Sequence, residues 1–194
     1  MRSRVATASD VHGITATLTA AFAGDPLWRW AFPDLDDLEE MWRIFITSAL
    51  RYPWLRMLDG AIAAALWIPP GGTELTEQEE ADLGPLLRSR IGDRADAVLG
   101  LIDRFEQAHP REQSHYYLSL LGTHPEHRGR GLGMALLAEN LASIDAEGMP
   151  AYLESSNPAN DARYERVGFR KVGALTTPDG SHTVTTMWRE PLIG

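Results

Sequence analysis

The pattern of apolar and polar positions predicts helices and strands in alternation along the chain. Apolar residues at helical spacing predict helices, and shorter, more continuous apolar runs predict strands. Asp59 and Gly60, between two apolar runs, predict a tight hairpin turn. The predicted helices cover residues 7–22, 36–52, 76–90, 93–108, 134–146 and 158–167, and the predicted strands cover residues 5–6, 54–58, 61–68, 115–122, 151–155, 169–175 and 183–189.

The order of these elements predicts an α/β (α+β) fold in a single domain. The sheet begins with an antiparallel hairpin, and the strand–helix–strand unit between residues 115 and 155 predicts a parallel crossover. We therefore expect a mixed, mostly antiparallel sheet with flanking helices. A length of 194 residues fits one domain with a sizeable core.

Composition narrows the chemistry that the chain can perform. The sequence has no cysteine, which excludes disulfides, thiolate zinc sites and a cysteine nucleophile. Any acyl transfer would therefore pass directly from donor to acceptor. The net charge of -9 argues against nucleic-acid binding and suits a cationic amine. No apolar stretch approaches the ~18 residues of a membrane span and the N-terminus lacks an apolar signal segment, so we expect a cytoplasmic protein without membrane contact.

A glycine-rich run at residues 128–133 carries the strongest chemical signal. Arg-Gly-Arg-Gly-Leu-Gly lies between a predicted strand and a predicted helix. Backbone N–H groups at a helix start are free, the helix dipole adds positive charge there, and glycines let an anion approach closely. Two other interpretations stay open: a connection with solvated arginines, and a dinucleotide-binding fingerprint whose third glycine falls one position early.

The spacing Arg128-x-x-Gly131-x-Gly133 resembles the acyl-CoA diphosphate signature of the GNAT superfamily of N-acetyltransferases. Residues 124–127 before the run and residues 164–169 after it strengthen the resemblance. Within the superfamily, the segments 153–160 and 164–169 are most similar to the puromycin N-acetyltransferases. The resemblance implies one GNAT domain over residues 1–194, with an acceptor-side half (1–114) and an acetyl-CoA-binding half (115–194). It also implies a splayed parallel strand pair at the centre of the sheet. It also implies acetyl-CoA as the acyl donor and no metal.

The resemblance further implies which residues bind acetyl-CoA. Backbone N–H groups of the turn and the first helical turn would bind the diphosphate, and the main chain before them would pair with the pantetheine arm. The arginine side chains of the turn either contact phosphates or are solvated. Asn157 is explained equally well as a contact of the pantetheine arm and as a turn residue before Pro158. Asn160 is expected to cap the following short helix and is also a candidate for cofactor contact. The implied set is Leu121, Gly122, Thr123, Arg128, Gly129, Arg130, Gly131, Leu132, Gly133, Met134, Asn157 and Asn160.

Two residues are the leading candidates for catalysis. Tyr164 matches the family tyrosine that protonates the departing thiolate, although a satisfied core tyrosine is the structural alternative. Glu154 is the first candidate for the base, because a glutamate on a buried strand is unfavourable unless it is paired or used. His115 and Asp25 are weaker candidates, since edge packing and a helix stop explain them.

The expected reaction is acetyl transfer to a primary amine of a small molecule, such as an antibiotic-like amine. A protein lysine or N-terminal acetyltransferase and a non-catalytic acyl-CoA sensor are the alternatives, and both a monomer and a homodimer are compatible with the sequence. Among the six tryptophans, Trp42 and Trp67 fit apolar faces and are expected in the core. Trp28, Trp30 and Trp54 either pack in the core or line the amine site. Residues 73–110 could cover that site or form an interface.

Overall fold

The computed structural model describes residues 3–192, so the outermost positions of the predicted domain and of the N-terminal segment lie outside it. Within this range one seven-stranded sheet has the order β1-β2-β3-β4-β5-β7-β6. The β4–β5 pair is parallel and the other pairs are antiparallel, which confirms the predicted fold class. The strands are β1 (Arg4–Val5), β2 (Leu55–Met57), β3 (Ala63–Ile68), β4 (Tyr116–Thr123), β5 (Ala151–Ser155), β6 (Arg170–Thr176) and β7 (Thr183–Arg189).

Helices cover both faces of the sheet. The bounds are α1 (Val11–Phe22), α2 (Pro26–Ala31), α3 (Leu35–Ala49), α4 (Glu77–Ile91), α5 (Ala95–Ala108), α6 (Leu132–Ala146) and α7 (Asp161–Glu165). The apolar sides of α1, α3, α4 and α5 form one buried cluster with β2 and β3. The apolar side of α6 forms a second cluster with the opposite face of β3, β4 and β5. Two cores on the two faces of one sheet thus hold β3 and β4 between them.

Most element boundaries follow the predictions, with a few informative differences. The helix α2 was not predicted; it forms because the Asp25 carboxylate accepts hydrogen bonds from the N–H groups of Leu27 and Trp28, and proline occupies its first turn. The β2–β3 hairpin forms as predicted, but a 3₁₀ turn at Asp59–Ala61 makes its connection longer than a tight two-residue turn. The helix α6 begins at Leu132 rather than at the predicted residue 134, so it includes the end of the glycine-rich run.

The parallel strands separate soon after they pair. Residues 116–118 of β4 pair with residues 151–153 of β5, and no pairing follows. At the same point β4 bulges: Leu66 of β3 pairs with Leu120 and Trp67 pairs with Leu118, so Ser119 has no residue opposite it. A bulge bends a strand and redirects side chains. The sheet therefore opens next to Ser119 of β4 and Glu154 of β5. The site described below lies at this opening.

A buried ion pair holds the turn that borders this opening. The Arg189 guanidinium, 3% exposed, donates hydrogen bonds of 2.6 and 2.7 Å to the two Asp145 oxygens. Its Nε also donates to the Val167 carbonyl at 2.8 Å. The guanidinium lowers the pKa of Asp145. One side chain thus ties α6, β7 and the turn after α7 together.

Removing the Asp145 carboxylate should therefore destabilise the fold strongly. Asp145→Ala leaves a buried guanidinium without its anion, for which we expect a loss of ~3–5 kcal/mol in the free energy of unfolding. Glu40→Ala is the matched control, because it breaks the exposed Glu40–Arg43 pair within one helix and should remove at most about 1 kcal/mol. Urea unfolding of both variants measures the difference. Equal losses would contradict the structural importance of the buried pair.

Candidate functional site

A large cleft opens beside the C-terminal end of β4. Its volume is about 720 Å³, and its walls come from the end of α1, the end of β4, the glycine-rich turn and the segment around α7. We call this space the large cleft. The predicted cofactor residues that line it are Leu121, Gly122, Thr123, Arg128, Gly129, Gly131, Leu132, Gly133, Met134, Asn157 and Asn160, together with Tyr164.

The glycine-rich turn forms an open cradle at the start of α6. Gly131 precedes the helix with φ 71°, a conformation that favours glycine, and a Cβ placed there would meet no atom within 4 Å. The empty space faces backbone N–H groups that have no partner within the helix. Gly133 is required for a different reason, since a Cβ would lie 2.6 Å from the Thr123 hydroxyl oxygen. The turn fits an anion such as a diphosphate.

The two arginines of the turn occupy different positions. Arg128 Nη2 donates a 2.6 Å hydrogen bond to the Ala21 carbonyl, so this side chain ties the glycine-rich turn to the end of α1. Arg130 is exposed and does not line the large cleft. The guanidinium of Arg128 is therefore engaged with the protein backbone at the cleft wall, and a phosphate contact by Arg130 stays a prediction.

A second space, the inner cavity, adjoins the large cleft where β4 and β5 separate. Its volume is about 110 Å³. Phe22, Leu121, Asn160 and Tyr164 line both spaces and so mark the junction between them. The walls of the inner cavity combine aromatic and aliphatic side chains with two carboxylates and several hydroxyls. The aromatic residues are Phe22, Trp28, Trp42, Phe45, Phe105 and Tyr117, and the polar ones include Glu74, Ser119, Glu154 and Ser156.

Glu154 points into the inner cavity from the first position of β5 that is not paired with β4. Neither carboxylate oxygen is accessible to solvent, and neither has a hydrogen-bond partner. Burial raises the pKa of this carboxyl to about 8, and the nearby hydroxyls of Tyr117 and Tyr152 reduce the shift. The structural alternative for Glu154 is a local arginine or tyrosine partner. No ion pair to Glu154 forms within residues 3–192, so no arginine pairs with it, whereas the hydroxyls of Tyr117 and Tyr152 lie near the carboxylate. A buried, unpartnered carboxylate with a pKa near neutral pH can accept a proton.

Tyr164 lies on α7 at the junction of the two spaces. Its ring packs edge-on against Phe169, with ring centroids 6.2 Å apart. Burial, assisted by the charges of Asp25 and Asp161, raises the pKa of the phenol to about 12. The hydroxyl therefore stays protonated at neutral pH and can donate a proton or a hydrogen bond. The alternative of a core tyrosine accounts for its packing, but not for its position on both cavity walls.

The weaker candidates for the base are engaged elsewhere. The Asp25 carboxylate lines the large cleft, but it caps α2 and accepts a 2.7 Å hydrogen bond from the Ser156 hydroxyl. His115 lines neither space; its Nδ1 lies 2.7 Å from the Gln113 carbonyl and its Nε2 lies 3.1 Å from Nε2 of His109. The structure therefore favours the non-catalytic explanations, which are a helix stop for Asp25 and edge packing for His115.

Some of the predicted asparagines and tryptophans have structural roles, and some line the two spaces. Asn157 accepts a 3.1 Å hydrogen bond from the Ala159 N–H, as a turn residue does, and also lines the large cleft. Asn160 lines the cleft as well, but its side chain makes no capping hydrogen bond at the start of α7, so the predicted cap was wrong. Trp42 and Trp67 are 1% and 0% exposed, which confirms their place in the core, although Trp42 also touches the inner cavity. Trp28 lines the inner cavity. Trp30 and Trp54 lie outside it, with the Trp30 indole N–H donating to Asp179.

Sequence reasoning missed Glu74. This residue lies between β3 and α4, and its carboxylate accepts a hydrogen bond from the Ser119 hydroxyl. Burial raises its pKa to about 7, and the charges of Glu106 and Glu80 add to that shift. No sequence signal separates Glu74 from the other acids of residues 73–110. Phe105 of α5 lines the same cavity, so this acidic segment forms one of its walls.

Comparison with known proteins agrees with this geometry. Residues 92–171 match the family model described as an acetyltransferase (GNAT) domain. A Corynebacterium glutamicum protein described as histone acetyltransferase HPA2 and related acetyltransferase is 24% identical, with a TM-score of 0.65 and coverage of 100% of this chain and 97% of that one. An agmatine N-acetyltransferase is 17% identical, with a TM-score of 0.65 and coverage of 98% and 99%.

A Drosophila melanogaster polyamine N-acetyltransferase has the same fold, with 17% identity, a TM-score of 0.64 and coverage of 97% of this chain and 99% of that one. The match to a GNAT acetyltransferase domain thus covers residues 92–171, and the chain as a whole shares its fold with solved structures described as acetyltransferases. In the part of the chain that the structure describes, no helix is long and apolar enough to cross a membrane. Across the same residues, no group of three or more histidines and carboxylates is placed to hold a metal ion.

The raised pKa of Glu154 predicts a pH-dependent stability. The folded protein binds the carboxyl proton of Glu154 more tightly than the unfolded chain does. The stabilisation that comes from this difference is present below the ordinary pKa of 4.5 and is lost as the pH rises through about 8. Glu154→Gln should therefore raise the melting temperature relative to the wild type, with a gain that grows between pH 5 and pH 9. Calorimetry measures it, and the exposed Glu112→Gln serves as control. A gain independent of pH would contradict the burial of a free carboxyl.

Proposed function

We propose that the protein is an acetyl-CoA-dependent N-acetyltransferase that transfers the acetyl group directly to a primary amine of a small molecule. The observation that carries this proposal is the junction of the two spaces. Tyr164 lines both of them, and Glu154 lies in the inner one, at the opening of the sheet. A proton donor between the spaces and a proton acceptor inside one of them suit transfer from a donor in the large cleft to an acceptor in the inner cavity.

The large cleft supports binding of the donor. The cradle at Gly131 and the first N–H groups of α6 suit the diphosphate of coenzyme A. Beyond Leu118 the edge of β4 that faces β5 is unpaired, so its backbone can hydrogen-bond the amides of the pantetheine arm as an added strand would. Acetyl-CoA supplies the activated acyl group when it is bound there.

The two titratable residues divide the proton transfers between them. Glu154 accepts the proton that converts the ammonium form of the acceptor into the free amine, whose nitrogen then attacks the acetyl carbon. Tyr164 donates its proton to the sulfur as the carbon–sulfur bond breaks, and the proton that the nitrogen loses as the amide forms restores the phenol. Neither transfer needs a cysteine, which the chain lacks, so a direct transfer is consistent with the composition. General acid–base assistance of this kind typically contributes about 10²–10⁴-fold to a rate.

The inner cavity favours a small acceptor over a protein chain. It is enclosed by aromatic residues of α1, α2, α3 and α5, and its volume of about 110 Å³ is comparable to an apolar cavity of about 150 Å³ that holds one benzene ring. Similarity to puromycin N-acetyltransferases suggests an antibiotic-like amine, while solved proteins of the same fold are described as agmatine and polyamine N-acetyltransferases. A protein acetyltransferase would need a longer, open groove, and a non-catalytic sensor would need neither Tyr164 nor Glu154.

Donor binding should depend on Gly131. Gly131→Glu places a side chain and a negative charge in the anion cradle, so we expect acetyl-CoA binding to be lost in titration calorimetry. Gly148→Glu is a matched control: Gly148 follows α6, has a similar φ of 66° and has open space around it, so the same backbone strain arises far from the cradle. Wild-type affinity of Gly131→Glu would contradict the placement of the diphosphate.

Turnover should depend on the Tyr164 hydroxyl. With radiolabelled acetyl-CoA and a panel of 2-phenylethylamine, agmatine, spermidine and puromycin, we expect the wild type to acetylate at least one amine. Tyr164→Phe should lower turnover on that amine by about 100-fold or more and change donor affinity much less. Tyr116→Phe is the control, because that hydroxyl donates to Glu147 at 2.6 Å, outside both spaces.

The outcomes of this assay are distinct. Donor binding without transfer to any amine on the panel would contradict the proposed activity on small amines. A normal turnover of Tyr164→Phe would remove the phenol from the acid role and leave the activity itself in place.

A further inference from the structure

Two carboxylates face the inner cavity from different parts of the chain. Glu154 comes from β5, and Glu74 comes from the segment between β3 and α4. Within residues 3–192, neither carboxylate forms an ion pair with a lysine, arginine or histidine. Buried carboxylates are unfavourable unless a cation or hydrogen bonds compensate them. The inner cavity thus has two acids and no basic side chain on its wall.

We propose, on the basis of the proposed function, that Glu74 is a specificity residue that binds the protonated amino group of the acceptor. The inner cavity then selects amines that arrive as ammonium ions on a compact apolar or aromatic body. The ammonium supplies the cation that the wall of the cavity lacks, and the aromatic rings of the cavity contact the apolar part of the amine.

The position of Glu74 is fixed by the bulge in β4. Ser119 has no partner opposite it in the sheet, and its hydroxyl donates to Glu74 Oε1. This hydrogen bond holds one carboxylate oxygen and leaves Oε2 without a hydrogen-bond partner in the described residues. An oxygen held in place in this way can accept a hydrogen bond from an ammonium group at little cost in side-chain entropy.

The aromatic walls suit the same ligand. Trp28 stacks on Phe105 with ring centroids 6.4 Å apart, and it packs against Trp42 in a T-shaped arrangement with ring centroids 4.7 Å apart. Ring faces near a bound cation attract it, and their apolar surface favours an alkyl or aromatic body. In the proposed complex, the carboxylate thus contacts the ammonium group and the aromatic side chains contact the rest of the ligand.

Glu74 and Glu154 have different roles in this arrangement. Glu74, held by Ser119, binds the incoming ammonium, and Glu154, which has no hydrogen-bond partner, accepts the proton before the nitrogen attacks. Because Glu74 acts on binding, its removal should raise KM more than it lowers kcat. Removal of Glu154 should instead lower kcat.

A binding experiment tests the inference without relying on turnover. Trp28 and Trp42 line the inner cavity, so tryptophan fluorescence can follow binding of 2-phenylethylammonium and of its neutral counterpart 2-phenylethanol at pH 7. We expect the wild type to bind the ammonium at least ~10-fold more tightly than the alcohol, the equivalent of about 1.4 kcal/mol. Glu74→Gln should bring the two affinities close together, whereas Glu74→Asp should keep the preference. Glu77→Gln, an exposed acid on the neighbouring helix, is the control for general charge effects and should also keep it.

The outcomes separate this inference from the proposed function. No preference for the ammonium in the wild type, or an unchanged preference in folded Glu74→Gln, would overturn the role of Glu74 even if the protein acetylates amines. Loss of the preference in Glu74→Gln would support it even if no amine on the panel is acetylated, and in that case only the proposed activity would fail. Where transfer is measurable, an unchanged KM for 2-phenylethylamine in Glu74→Gln would also overturn the inference.

Discussion

The separation of β4 from β5 after residues 116–118 is the constraint on which the site depends. A continuous parallel pair would consume the backbone hydrogen bonds of β4 and close the sheet beneath the two spaces. The bulge at Ser119 prevents this, because it removes one residue from the ladder to β3 and redirects the chain. An unpaired strand edge and the side chains of Ser119 and Glu154 become available together, and both spaces form around them.

The opening has opposite electrostatic character on its two sides. On one side, the start of α6 presents N–H groups and the positive end of a helix dipole to the large cleft. On the other, Glu74 and Glu154 face the inner cavity from aromatic surroundings, where interactions between charges are stronger than in water. Tyr164 lies between the two sides, with a phenol that burial keeps protonated. An anionic donor and a cationic acceptor would therefore meet with their charged ends directed apart and their reacting groups close together.

Residues 73–110 belong to this arrangement as part of the wall. Phe105 and Ile102 of α5 close the inner cavity, and Glu74 enters it just before α4 begins. On the other side of the site, the buried pair of Arg189 and Asp145 holds the turn after α7 through the Val167 carbonyl. Segments from the middle and from the C-terminal part of the chain thus border the opening on two sides.

Local sequence patterns determined the elements and the anion cradle. The strand at residues 151–155 was predicted with its observed bounds, and the glycine run was placed correctly between a strand and a helix, because periodicity and glycine conformation act within a few residues. They also placed Glu154 on a buried strand. Only the tertiary structure decided what the acids do. Glu74 meets Ser119 across 45 positions of sequence, and Asp25 meets Ser156 across 131, so neither burial nor partner is encoded near those residues. The capping of α2 by Asp25 is local, whereas the packing of distant segments joins Asp25 to Ser156 and brings Glu74 to the same cavity as Glu154.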